Sequence, residues 1–126
     1  MTDIQPPHIP VSWGELIDKI TILEIKQEKL PAKARAFVTR ELALLTALEQ
    51  PDRIGALKAE LKDINRALWD IEDAIRDKER AGLFDADFIA LARSVYRTND
   101  RRAAVKRQID LLLNSPLREE KSYTPY

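Results

Sequence analysis

The chain has no cysteine and a single histidine, His8, among its 126 residues. The first absence removes disulfides and thiolate metal sites and suits a reducing compartment. The lone imidazole, in a proline-rich arm, leaves no convincing nucleophile with a neighbouring base and no Glu-x-x-His pairs of the kind that hold two metal ions in a helical bundle. Glycine occurs only at Gly14, Gly55 and Gly82, so no glycine-rich phosphate loop can be written and the turn chemistry of a sheet is missing. No apolar run approaches the roughly 20 residues that span a bilayer. The opening MTDIQPPHIPVSW lacks the basic start and apolar centre of a secretion signal. Net charge is absent too. The 21 basic residues balance 21 acidic ones, which argues against bulk attraction to nucleic acid or anionic membrane. These absences predict one cytoplasmic domain over residues 1–126, with no membrane span, cofactor or metal, and they weigh against independent catalysis.

What is present is helical periodicity. An extended arm, residues 1–11, carries Pro6, Pro7 and Pro10. Ser12 followed by Glu15 is a helix start, and that helix should run to about Lys29. Trp13, Leu16, Ile20 and Leu23 form its main apolar face, while Ile22 and Ile25 point away from it, so two neighbours are expected. A second helix opens at Pro31, carries the stripe Phe37, Val38, Leu42, Leu45 and Leu48, and ends before Pro51. A third is capped by Asp52 and stops at Gly82; a fourth starts near Asp85 and stops before Pro116.

The third helix repeats apolar residues in steps of three and four from Ile54 through Leu57, Leu61, Ile64, Leu68 and Ile71 to Ile75. The fourth repeats Phe88, Leu91, Val95, Thr98, Arg102, Val105, Ile109 and Leu112. Folded back through the short turn, facing positions keep a constant residue-number sum of 166, as in Leu61 with Val105 or Ile71 with Val95. The prediction is an all-α, up-and-down bundle built on a long antiparallel hairpin, about 52–81 and 85–114, with a tail over 115–126.

One rung does not fit. The register sets Ile64 against Arg102 and Leu68 against Thr98, with Asn65 and Asn99 nearby. A buried guanidinium must find acceptors, because an unpaired interior charge costs several kcal/mol. Glu24 on the first helix is the expected partner. Three readings stay open: a polar layer that fixes register, a cleft where Arg102 meets an anionic small molecule beside Trp13, Trp69 and Tyr96, or an arginine that reaches solvent. Arg93, Arg97 and Arg101 form a basic stripe that invites nucleic acid. The register offers Asp73 and Asp70 as intramolecular partners for it and Glu60 for Lys106, and with zero net charge that pairing is the expected account. The tail, with Tyr123 and Tyr126, is free to dock on its own bundle or on a partner.

Three segments carry a resemblance: PVSWGELIDKITILEIK (10–26), LWDIEDAIRDKE (68–79) and ARSVYRTNDRRAAVKRQI (92–109), with EEKSY (119–123) at the end. Together they are similar to a bacterial family of small uncharacterised proteins known only as a domain of unknown function. The resemblance implies no catalytic residue. It implies an association with cell-surface polysaccharide assembly, which would suit an accessory protein or a sugar-nucleotide binder. The expected function is a non-catalytic interaction module that forms a homo-oligomer or binds a protein partner. The alternative is a binder or enzyme for a sugar phosphate or nucleotide sugar at the Arg102 layer.

Overall fold

The computed structural model describes residues 3–48 and 50–126, so the first two residues of the expected arm lie outside it. Helix α1 spans Trp13–Lys29, α2 Ala32–Thr46, α3 Gly55–Ala81 and α4 Ala86–Leu112; a single 3₁₀ turn, Asp52–Ile54, leads into α3. No strand occurs among the described residues. The architecture is the expected all-α bundle.

The helix ends follow from local chemistry. Ser12 accepts the Glu15 N–H at 3.1 Å to start α1. Asp85 accepts the Phe88 N–H at 3.0 Å to start α4, and that bond with the nearby Lys78 ammonium holds the Asp85 carboxyl below its usual range. Gly82 closes α3 in the left-handed region, φ 67°, with its N–H on Glu79 and Lys78 carbonyls. Asp52 differs from expectation. It begins the 3₁₀ turn and makes no side-chain cap to α3.

Helices α3 and α4 pack along their lengths, and α1 lies against both of them and against α2. The core is built where α1 meets the hairpin, from Leu16, Ile17, Ile20, Ile54, Leu61, Ile64, Val105 and Ile109. Burial of such aliphatic side chains contributes about 1.5–3 kcal/mol each. At the open end of the hairpin Leu113, not the expected Leu112, packs on this core; Leu112 is exposed. Helix α2 turns only Val38, Leu42 and Leu45 inward, leaving Phe37 and Leu48 of its predicted stripe exposed.

Helix α1 meets three neighbours where two were expected, and it is buried except along a stripe where Glu15, Lys19, Glu28 and Lys29 are exposed. Its closest approach is at Gly14. A Cβ there would stand 2.5 Å from the Lys106 carbonyl oxygen on α4. Gly55, by contrast, has helical φ and open space around it. Gly14→Ala should therefore destabilise the protein by about 1–3 kcal/mol through forced separation of α1 from α4, whereas Gly55→Ala should stabilise it by about 0.4–1 kcal/mol. Urea denaturation of the two variants checks both signs.

Candidate functional site

The misfit rung is the centre of a polar network that spans three helices. Arg102 on α4 donates from Nε to Asp18 Oδ1 at 2.9 Å and from Nη2 to Asp18 Oδ2, a bidentate pair. Asn65 on α3 donates to the same Asp18 Oδ1 at 2.9 Å and to Thr21 Oγ1 at 3.0 Å. The Thr21 hydroxyl in turn donates to the Asp18 carbonyl at 2.8 Å. Asp18 is 3% exposed on its side chain and Arg102 29%. That Asn65 and Arg102 share one acceptor sets these two positions level across the hairpin, within one residue of the constant-sum register.

One turn along α4 lies a second cation. The Lys106 ammonium sits 2.9 Å from Glu15, 4.0 Å from Asp18 and 2.8 Å from Glu119 of the tail. Burial pulls its pKa down, but the bonds from Glu119 and Glu15 and the Asp18 charge outweigh that and leave it raised. The pair with Lys106 lowers the pKa of Glu119. For Arg102, the Asp18 hydrogen bonds outweigh desolvation and keep the guanidinium charged. Beyond Lys106, buried Asp110 accepts the Gly14 N–H at 2.7 Å, placing a carboxylate at the positive end of α1. Ser115 Oγ accepts the Trp13 N–H at 3.5 Å and donates to the Leu117 carbonyl at 2.7 Å, which ties the tail's start to α1. Among the described residues, every buried side-chain nitrogen or oxygen has a partner.

This geometry corrects the expected partner of Arg102. Glu24 faces α3 and pairs with Lys58 and Lys62, at 3.9 and 3.4 Å, half-buried at the α1–α3 edge. Asp18 was missed because α1 was read by its apolar residues. The stripe that meets the hairpin is Gly14, Asp18, Thr21 and Ile25, which repeats in steps of four, three and four. A glycine followed at helical spacing by two short polar residues was the available signal for a close, polar contact.

The other predicted residues scatter around this centre. Thr98 is buried one turn from Arg102. Trp13 packs on the core at the start of α1. Trp69 walls a groove of about 420 Å³ with Ile22, Ile25, Leu68 and Arg102, and Glu72 and Asp73 share that groove. Tyr96 and Asn99 lie under the tail, where the Tyr96 ring meets Tyr126 edge-on at 5.0 Å. Asp100 hydrogen-bonding raises the Tyr126 phenol pKa. The tail thus docks on its own bundle. The basic stripe is exposed, and among the described residues Arg93, Arg97 and Arg101 have no ion pair within 4 Å, contrary to the pairing expected with Asp73 and Asp70. Asp70 lies 3.9 Å from Lys29 instead, and Lys106 takes Glu15 and Glu119 in place of Glu60.

Chemically, the network offers two cations already matched by carboxylates. A broken buried pair costs about 3–5 kcal/mol, against 0–1 kcal/mol for an exposed one such as Glu72 with Arg76. Arg102→Leu should therefore destabilise by several times the cost of Glu72→Gln, because it strands buried Asp18; thermal and urea unfolding measure the difference. Lowered Glu119 and raised Lys106 pKa values fix a pH window for tail docking. The Glu119 contribution is present above its ordinary value of 4.5 and is lost as pH falls through its lower folded value. The Lys106 contribution is present below its ordinary 10.5 and is lost as pH rises through its raised folded value. An NMR titration should show the Glu119 carboxyl midpoint below 4.5, returning toward it in Lys106→Met.

The chain belongs to the family of unknown function DUF6165, whose pattern matches residues 8–126. No curated protein and no solved structure matches it.

Proposed function

We propose that this DUF6165 member is a non-catalytic helical interaction module that associates with itself in the cytoplasm. The observation that carries the reading is the uneven cover of the hairpin. Helix α1 ends at Lys29, beside Asp70, so the last turns of α3 and the first turns of α4 have no third helix over them. The seam residues there, Ile71, Ile75, Leu91 and Val95, stay only half-buried, and Leu83, Phe84 and Ile89 around the turn are exposed. Two helices alone bury little apolar surface, and further helices supplied by another chain would complete the layer. The closed polar network supports the non-catalytic half of the reading, since its charges are matched within the bundle. The cysteine-free composition supports a reducing compartment.

A second reading rests on the groove beside Trp69. An indole wall and the edge of Arg102 would suit a nucleotide sugar or sugar phosphate. The bidentate bond to Asp18 already neutralises Arg102, the groove's other cation, Arg76, is paired with Glu72 at 3.5 Å, and Asp73 adds a negative charge there, so this reading ranks second. Light scattering at tens of micromolar should give a mass at or above twice that of the chain; a strict monomer would refute self-association. In a thermal-shift series, UDP-sugars and inorganic phosphate should leave the melting point unchanged. A saturable rise that disappears in Trp69→Ala would favour the groove instead.

A further inference from the structure

The hairpin has a second uncovered side, and its charges are arranged by helix. Helix α1 occupies the side that carries Asn65 on α3 and Lys106 and Asp110 on α4. At about 100° per residue, the opposite side of α3 presents Asp63 and Asp70 around Ala67 and Ala74. The opposite side of α4 presents Arg97 and Arg101 beside Ala104. The four charged residues are exposed. Arg97, Arg101 and Asp63 have no ion pair within 4 Å among the described residues, and Asp70 has only the 3.9 Å edge contact with Lys29. The face is therefore mainly acidic along α3, where Glu60 joins the two aspartates and Lys78 is taken up by Asp85, and basic along α4, with Ala67, Ala74 and Ala104 as its small side chains.

We propose that two copies pack back to back on this face about a twofold axis parallel to the helices, with α4 of each over α3 of the other. The inference takes from the reading above only that the chain self-associates, and it names this charged face, distinct from the bare turns beyond Lys29, as the surface. Charge fixes the choice of axis. A twofold perpendicular to the helices would set aspartates against aspartates and arginines against arginines, whereas the parallel one opposes unlike rows. The register then matches their heights. Arg97 is level with position 69 and Arg101 with position 65, so Asp70 and Asp63 of the second copy lie about 1.5 and 3 Å away along the axis. Symmetry makes each pairing twice. Leu111, more than half exposed and two heptads beyond Arg97, comes within one residue of the height of Ala56 of the second copy, a small side chain on the same face.

The area is sufficient. Each 27-residue helix is about 40 Å long and two side by side are about 20 Å wide, giving about 800 Å² per copy. That equals one partner's share of a standard interface.

The test is a pair of charge reversals read by sedimentation equilibrium. Arg97→Glu with Arg101→Glu should weaken wild-type dimerisation at least about 100-fold, and Asp63→Arg with Asp70→Arg should do the same. Mixed in equal amounts, the two variants should recover the dimer, because both rows become complementary again; raising salt should weaken wild type and mixture alike. Unchanged far-UV circular dichroism and cooperative unfolding of the variants would show that the fold is intact, with melting temperatures lower than wild type by the lost dimer stabilisation. A wild-type oligomer indifferent to both reversals, or a mixture that stays monomeric, overturns this face and leaves self-association standing. A monomeric wild type overturns both, and retardation of a single-stranded DNA probe by that monomer would reassign the arginine row to nucleic acid.

Discussion

The Asp18 carboxylate is the point on which the rest of the bundle is aligned. It is buried, it comes from the central helix, and it accepts from both arms of the hairpin at once, from Arg102 on α4 and Asn65 on α3. An apolar seam of repeating leucine and isoleucine tolerates sliding by one heptad, because each rung resembles the next. The shared carboxylate does not tolerate it, since sliding α1 along α4 parts Asp18 from Arg102 and sliding α3 takes the Asn65 amide from the same acceptor. The pair adds little net stability over a well-packed apolar replacement; what it adds is a large penalty for every other register.

A second constraint lies one turn away and is steric. With α1 displaced by one turn along α4, Asp18 would meet Lys106 in place of Arg102, an electrostatically acceptable substitute. Gly14 removes that option. The backbone of α4 approaches so closely at Lys106 that only a residue without a Cβ fits, and the Gly14 N–H is held there by Asp110. That displacement would bring Asp18, which carries a Cβ, into the place against the Lys106 carbonyl that Gly14 now occupies. The ion pair and the glycine thus exclude different errors, and together they leave one arrangement of α1 on the hairpin.

These constraints were unequally visible in the sequence. The hairpin was legible because its repeat is uninterrupted from Ile54 to Ile75 and because facing residue numbers keep one sum, a property of two straight rods that needs no tertiary information. Arg102 was legible as an anomaly for the same reason. Its partner was not. Asp18 belongs to a stripe whose other members are Gly14, Thr21 and Ile25, and hydrophobic periodicity gives such a stripe no weight beside Leu16, Ile20 and Leu23. The ends of the cover were also hidden: how far α1 reaches along the hairpin depends on an offset between helices that local propensity does not encode. The basic stripe illustrates the same limit. Register places Arg93 and Arg97 level with Asp73 and Asp70, but equal height does not give proximity when the side chains point in different directions around their helices, as Asp73 does in lining the groove beside Trp69.

The alignment at mid-hairpin has consequences far from it. Neither α3 after Gly55 nor α4 contains a glycine or proline in its interior, so each behaves as one continuous rod. Fixing two rods against each other at Asp18 fixes every pair of heights along them, including the bare turns beyond Lys29 and the opposed acidic and basic rows on the far side. In a uniform apolar seam those rows would drift with each slip of register, and a surface that depends on matching heights could not form reproducibly. A polar rung inside the core is therefore what gives the outside of the hairpin a defined pattern of charge.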